Sequence, residues 1–415
     1  MRRQVRRIPI SGRKTSKKIA ASERASLSLF AACLPGLEPL LLNELVPLGA
    51  GRSEIVPGGV RFVGDRSVLY RANLCTGLAT QILVRLGKFR AVHVAQLHQR
   101  AAEQPWETLF QSGQKCAVRA VCKKSKLYHS RAVAERVAKA IQERTGAEAV
   151  PTSGAGSELP LVLVRVIQDM VTLSLDSSGE PLHRRGWRGQ TGKAPLRSDL
   201  ARALLLAAGW NGRTMLLDPM MGSGTLLIEA ATLARRLAPG RLRSFAFEKT
   251  ALLDSDLYGC VLSKAAETAL PRSKVSLLGS DRDAGALEAA RSNAERAGVL
   301  EDLHLECAPL SRAPVLRGEP APDEVGCLAT NPPHGRRVGA PEKLRPLYQT
   351  LGRLGATLPS GWSAALCVAD RRLALSTGWP LRTGFLTSHG GVKIRALVGK
   401  MSAPADTPDE SPPVL

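Results

Sequence analysis

The stretch "LDPMMGSGT" (217–225) sets an aspartate at the end of one apolar run and two glycines, Gly222 and Gly224, ahead of the next. Strand, glycine turn and helix in that order bring backbone amides up to a ligand at the carboxyl end of a sheet. A phosphate loop is excluded, because the GK[ST] ending is missing and Asp218 closes the strand. A carboxylate there repels phosphate and suits a cationic amino group. "GSD" (279–281) ends a second apolar run in Asp281, placed as the ribose-binding acid of a nucleotide sheet. Adenosine plus an ammonium describes S-adenosylmethionine (SAM). Asp281 stands 57 positions after Gly224, well beyond the ~20 of a simple βαβ unit. The spacing therefore predicts an insertion, which "RSFAFEKTALLDSDLYGCVLSKAAETA" (243–269) fits.

A third stretch, "ATNPPHG" (329–335), follows another apolar run, "VGCLAT". Asn331 offers a side-chain carbonyl, and Pro332 a main-chain carbonyl with no N–H of its own. Two acceptors holding the hydrogens of an aromatic amine would favour the tetrahedral nitrogen needed to attack a methyl sulfonium. The rings of Pro332 and Pro333 fix the loop, and His334 would stack on a base swung out of its helix. A plain tight turn with two prolines is the structural alternative.

The elements that must hold these residues follow from the pattern. Thr214–Leu237 reads as strand, turn and helix, Lys274–Gly298 as strand, acidic turn and helix, and strands and helices alternate to about residue 400. This predicts an α/β doubly wound, mostly parallel sheet of Rossmann type. Upstream, residues 27 to 178 read as α+β, with strands at "GGVRFVGD", "KCAVRAVC" and a pair meeting near Gln168–Asp169, and an amphipathic helix at "SRAVAERVAKAIQERTG". Residues 1–26 read as a disordered basic arm and 401–415 as a disordered Pro-rich acidic tail.

Composition bounds the partner. Lys and Arg number 58 against 36 Asp and Glu, a formal charge of +22 over 415 residues, which suits a polyanion. Before the amphipathic helix stand Lys123, Lys124, Lys126, Tyr128 and His129. Lysines neutralise phosphate and a ring stacks on any base, although such a loop is also what an ordinary solvated face looks like. "HRRGWRGQTGKAPLR" adds Arg184, Arg185 and Arg188. Eight scattered cysteines without a CxxC pair read as reduced and non-metal, and no apolar run is long enough to span a membrane. With no secretory leader, the expectation is a cytoplasmic monomer without metal.

These motifs, together with "CLPGLEPLLLNEL", "YRANL", "KSKLYH", "FAFEK", "GSDRDAGALEAARSNAERAG" and "TNPPHG", resemble the THUMP-domain class I SAM-dependent RNA methyltransferases, in particular the RlmL-type enzymes. Those methylate the exocyclic N2 of guanine in 23S ribosomal RNA. The resemblance implies an N-terminal ferredoxin-like domain (27–75), a THUMP RNA-binding domain (76–178) and a methyltransferase domain (179–400). It implies that Asp218, Met220, Gly222, Ser223, Gly224 and Thr225 line SAM, that Asp281 and Arg282 meet its ribose, and that an Ala308 amide reaches adenine. Asn331, Pro332, Pro333 and His334 would form the target-amine loop, with Arg336 on the RNA backbone beside it.

Two positions depart from the family pattern. His334 replaces an aromatic, and Ala308–Pro309 replace an acid-bearing pair. A tRNA guanine-N2 methyltransferase and a catalytically impaired RNA-binding or ribosome-assembly factor stay open as alternatives.

Overall fold

The structure, a computed structural model, describes residues 26–154, 158–189, 196–313, 325–333, 341–389 and 391–401. The arm as far as residue 25, the tail from 402, His334 and Arg336 lie outside the described residues.

The first half forms one eight-stranded sheet. Its strands are β1 (Leu27–Ala32), β2 (Gly51–Val56), β3 (Gly59–Gly64), β4 (Gln81–Arg90), β5 (Lys115–Lys123), β6 (Glu148–Pro151), β7 (Leu161–Ile167) and β8 (Met170–Asp176). They lie in the order β2-β3-β1-β4-β8-β7-β5-β6. The expected strand pair meets at Gln168 and Asp169, whose φ of 49° and 63° make the mirror-image two-residue turn that matches strand twist. Strand β4 pairs with β1 on one side and β8 on the other, so hydrogen bonding runs unbroken across the expected division at 75. Helices α1 (Glu38–Leu45), α2 (Arg66–Cys75), α3 (Val94–Ala102) and α4 (Ser130–Thr145) belong to this half. In α4, Val133, Val137, Ala140 and Ile141 make the buried stripe that the helical spacing predicted.

The second half carries seven strands: β9 (Met215–Asp218), β10 (Leu277–Asp281), β11 (Leu303–Cys307), β12 (Gly326–Thr330), β13 (Ser363–Val368), β14 (Arg382–His389) and β15 (Val392–Lys400). Their order is β11-β10-β9-β12-β13-β15-β14. Pairing is parallel from β11 to β13 and antiparallel at β15. Successive residues of β9 face opposite cores, Leu216 one and Leu217 the other, as expected of a strand covered on both faces. The helices are α5 (Ser198–Ala207), α6 (Thr225–Ala234), α7 (Ser255–Glu267), α8 (Ala284–Arg296), α9 (Pro341–Ala356) and α10 (Arg371–Leu375).

The insertion after α6 has a structural use. Phe247 stacks on Tyr70 at 4.7 Å and Tyr258 of α7 meets it edge-on at 5.3 Å. The Tyr70 hydroxyl donates to the Leu252 carbonyl at 2.5 Å and accepts from the Asp254 amide at 2.8 Å. The insertion thereby docks the first sheet's helices on the second half.

Candidate functional site

Chain order reverses between β9 and β12: β10 follows β9 on one side, and β12 lies on the other. Open parallel sheets bind ligands at the carboxyl ends of such a pair. Asp218 and Asp281 end β9 and β10, and Thr330 ends β12 with Asn331 next. The three sequence motifs thus meet at one sheet edge.

Asp218 is 2% exposed, and burial pushes its carboxyl up to about 7. The neighbouring Thr330 hydroxyl and the Met220 amide, which donates to Oδ1 at 3.2 Å, work against that rise, and the Asp281 charge adds to it. The Thr330 hydroxyl is itself fully buried and makes no hydrogen bond of normal geometry among the described residues. Asp281 is held differently. Its Oδ2 accepts from the Gly222 amide at 3.0 Å and its Oδ1 from the Asp283 amide at 3.0 Å, which fixes the carboxylate at the edge.

The glycine turn corrects one expectation. Four of its amides are already engaged: Met220 donates to Asp218, Met221 to the Ser280 carbonyl, Gly222 to Asp281 and Gly224 to the Met221 carbonyl. What the glycines supply is conformation and space. Gly222 has φ 52°, and a Cβ there would meet nothing within 4 Å. Gly224 has φ 78°, and its Cβ would press on Ala290 of α8 at 3.0 Å. Ser223 is braced from the same helix, since Asn293 Nδ2 donates to its carbonyl at 3.1 Å. Arg282 is exposed beside Asp281. The Ala308 amide, expected to reach a ligand, donates instead to the Asp281 carbonyl at 2.9 Å and is spent in extending the β10–β11 ladder.

At the third motif, Asn331 Oδ1 is shielded from solvent and has no hydrogen-bond partner among the described residues. An orphaned buried carbonyl costs free energy unless something donates to it. Pro332 is buried. Pro333 is half-buried, and its carbonyl accepts from the hydroxyl of Tyr348 on α9 at 3.4 Å. Sequence reasoning missed Asn293, Thr330 and Tyr348. Each left a signal: Asn293 and Tyr348 sit on buried helical stripes, with Ala290 and Ala294 and with Leu344 and Leu351, and Thr330 adjoins the amide loop.

Models of three protein families match the chain: an RlmL ferredoxin-like domain over residues 28–83, a THUMP domain over 92–176 and an RMKL-like methyltransferase domain over 185–377. A putative RNA methyltransferase of Synechocystis sp. is 33% identical over 366 residues, covering 88% of this chain and 94% of that protein. The chain belongs to the RlmL-type THUMP-domain methyltransferases. The ribosomal RNA large subunit methyltransferase K/L of Syntrophotalea carbinolica is 35% identical over 382 residues, covering 90% of this chain and 53% of that protein. The chain thus spans about half the length of that relative. Among solved structures, a putative methyltransferase complexed with SAH superposes with a TM-score of 0.80 at 26% identity, covering 90% of this chain and 98% of that one.

In this RlmL-type chain the expected RNA-binding residues divide. Lys123, Lys124, Lys126 and His129 are exposed, with Tyr128 packed on His129 at 4.0 Å between ring centres. Arg184 is exposed and pairs with Glu180 at 3.2 Å. Arg185 and Arg188 are corrections. Arg185 is 2% exposed and donates to Glu229 at 3.1 Å and to the carbonyls of Leu182 and Gly77. Glu229 also faces Arg202 at 3.6 Å, and Arg202 faces Glu44 at 3.5 Å. Arg188 lies over Trp187 and donates to the Leu196 carbonyl and the Thr225 hydroxyl. Both guanidiniums are spent inside the protein, joining its halves and bracing α6 of the cofactor turn.

Proposed function

We propose that the chain methylates the exocyclic N2 of a guanine in large-subunit ribosomal RNA, in the cytoplasm. S-adenosylmethionine is the methyl donor of this family, and it supplies an electrophilic methyl on a sulfonium. The residues at the sheet edge fit it. Asp218 is a buried carboxylate awaiting a cation, Asp281 is fixed where ribose hydroxyls can donate to it, and the space over Gly222 is open.

One observation carries the reading of the target: the buried Oδ1 of Asn331, next after Thr330 and unpartnered among the described residues. An exocyclic amine donating one hydrogen to that oxygen and the other to the Pro332 carbonyl satisfies an acceptor that otherwise costs stability. It also turns the nitrogen lone pair toward the methyl, so positioning and electrostatics lower the barrier. Tyr348 steadies the loop through the Pro333 carbonyl.

The test is transfer of labelled methyl to RNA from a deletion strain, with nucleosides mapped by mass spectrometry. N2-methylguanosine in 23S RNA is expected; label confined to tRNA or to another base refutes the assignment. Asn331→Ala should lower turnover at least ~100-fold with RNA affinity within twofold of wild type. The Ala308 amide, already bonded to Asp281, favours a second reading, an RNA-binding factor with a weak hold on adenine. Micromolar or tighter SAM binding by calorimetry would sink that one.

A further inference from the structure

We propose that the uncovered face of the eight-stranded sheet binds the sugar–phosphate backbone of an RNA helix. This rests on the RNA-methyltransferase reading and assigns the substrate a second holding surface, which adjoins the 123–129 loop at Lys123 and is distinct from the cofactor-side sheet edge.

The strand registers define the face. Arg61 of β3 lies opposite Phe30 of β1, which lies opposite Leu83 of β4. Two residues along β4, on the same side of the pleat, Arg85 begins a row that continues through Ser174 and Leu163 to Arg119 of β5. Past the irregularity at Leu86, the next row runs Lys88, Thr172, Arg165 and Val121, and the next Arg90, Met170, Ile167 and Lys123. The intervening residues, among them Val118, Val162, Val164 and Leu173, are buried beneath the helices. Among the described residues the face is open toward its Lys88 and Arg90 rows: Lys88, Arg90, Lys123 and Arg165 are exposed, as is Val121 at 54%, while Phe30, Leu83 and Ser174 toward the other end are buried.

Charge on this face is one-sided. Arg85 donates to Ser174 at 2.8 Å and lies over the Phe30 ring at 4.4 Å, and the charges acting on it are those of Arg165 and Arg61. Desolvation with these like charges lowers Arg85 to about 10, so it stays a cation at neutral pH. Of the carboxylates in the rows, Glu54 is matched to Arg61 at 3.2 Å, Glu148 pairs with Lys115 at 3.6 Å, and Asp176 is buried under Gln81.

Six strands at ~4.8 Å spacing from β3 to β5 make a platform ~24 Å wide. An excess of cations held on a rigid platform needs a polyanion of matching breadth. The chemistry also says which form of RNA. The one ring in the rows, Phe30, is 6% exposed beneath Arg85. The rows present no exposed aromatic ring, so the face lacks the stacking platform on which single strands are usually held. It offers phosphate contacts alone, the means by which double-stranded RNA is held without regard to sequence.

The experiment measures binding of the full chain to a labelled RNA duplex of arbitrary sequence, and to one of its strands, over a series of salt concentrations. The variant is Lys88→Gln/Arg90→Gln/Arg165→Gln, three exposed side chains whose loss leaves the core untouched. Each lost phosphate contact should lower the slope of log K against log salt by ~0.9. The triple variant is therefore expected to lose ~2–3 from the slope and at least about tenfold in duplex affinity at 0.1 M salt. Thr172→Glu, which adds a carboxylate among the rows, should shift binding the same way. An unchanged slope in a variant that still binds SAH overturns the proposal. So does a loss confined to the single strand, or variants that keep RNA binding but lose an acidic protein partner. Wild-type protein that grips duplex steeply yet methylates no guanine sinks the functional reading and leaves this surface standing. Methylation with variant slopes equal to wild type does the reverse.

Discussion

Replacing Asp218 with Asn separates what this position does for binding from what it costs the fold. Asn keeps the shape and an oxygen to accept from the Met220 amide, but cannot ionise. In the folded protein the carboxyl titrates near 7, against 3.8 for an unburied aspartate. The difference of about 3 pKa units, at ~1.4 kcal/mol each, is a cost of ~4 kcal/mol in the ionised state. The sign follows from proton counting. Between about pH 4 and 7 the native chain holds a proton that the unfolded chain has released, so wild-type stability falls as pH rises and levels off above 7. Asp218→Asn removes that slope. The variant's advantage in urea unfolding, followed by tryptophan fluorescence, should widen by ~1.4 kcal/mol per pH unit to ~4 kcal/mol near pH 8. Comparing the two proteins at each pH cancels other shifted groups such as Asp176. The variant should also lose most of its affinity for SAM, whose ammonium needs the carboxylate. In wild type, SAM binding just below pH 7 should expel a proton, readable by calorimetry in two buffers of different ionisation enthalpy. A difference in unfolding free energy that stays flat from pH 5 to 8 would refute the burial argument. Unchanged SAM affinity would refute the assignment of the ammonium.

Three further outcomes follow from the same geometry. Tyr348→Phe removes the hydroxyl that holds the Pro333 carbonyl; turnover should drop ~3–10-fold with the KM for SAM unchanged and stability lowered by no more than ~1 kcal/mol. Equal loss in kcat and in SAM binding would count against a loop-positioning role. Gly222→Ala puts a methyl into the open space at a positive φ, costing ~1–2 kcal/mol of strain, and should weaken SAH binding at least ~10-fold in a thermal-shift titration. Arg185→Ala leaves Glu229 with its weaker partner and should cost ~3–5 kcal/mol in urea unfolding, while the duplex affinity of the folded protein stays within twofold. A stable variant with weakened RNA binding would restore Arg185 to the interface.

The chemistry at the sheet edge was legible because it is local. Asp218, Gly222, Gly224, Asp281 and Asn331 each sit where an apolar run stops, and a parallel sheet sends all such stops to one side. The doubly wound half was legible for the same reason, each strand being covered on both faces and hence continuously apolar. Failure began where a residue's role is set by a distant partner. Arg185 and Arg188 stand in a basic linker and look like phosphate ligands; only Glu229, 44 residues on from Arg185, shows that Arg185 is buried. The Ala308 amide looked free because its acceptor, the Asp281 carbonyl, lies across a strand ladder. Strands β2 and β6 carry little apolar pattern, lying at the sheet's two edges with mostly exposed side chains. Tyr348 read as core, and it is core; its second role depends on one hydroxyl reaching a loop 15 residues away.

The buried chain of Glu44, Arg202, Glu229 and Arg185 draws on α1, α5, α6 and the linker, and ends on the carbonyl of Gly77. It crosses from the ferredoxin-like and THUMP half to the methyltransferase half, so these parts are not interchangeable modules. A chimera that exchanged the first 180 residues for those of another protein would have to import a Glu44 counterpart, or leave the buried Arg202 with Glu229 alone. Cutting the chain to express the catalytic half alone meets the same obstacle. Substitutions that leave this charged seam whole, on the exposed surface of the first sheet, are the ones the fold tolerates without rebuilding its interior.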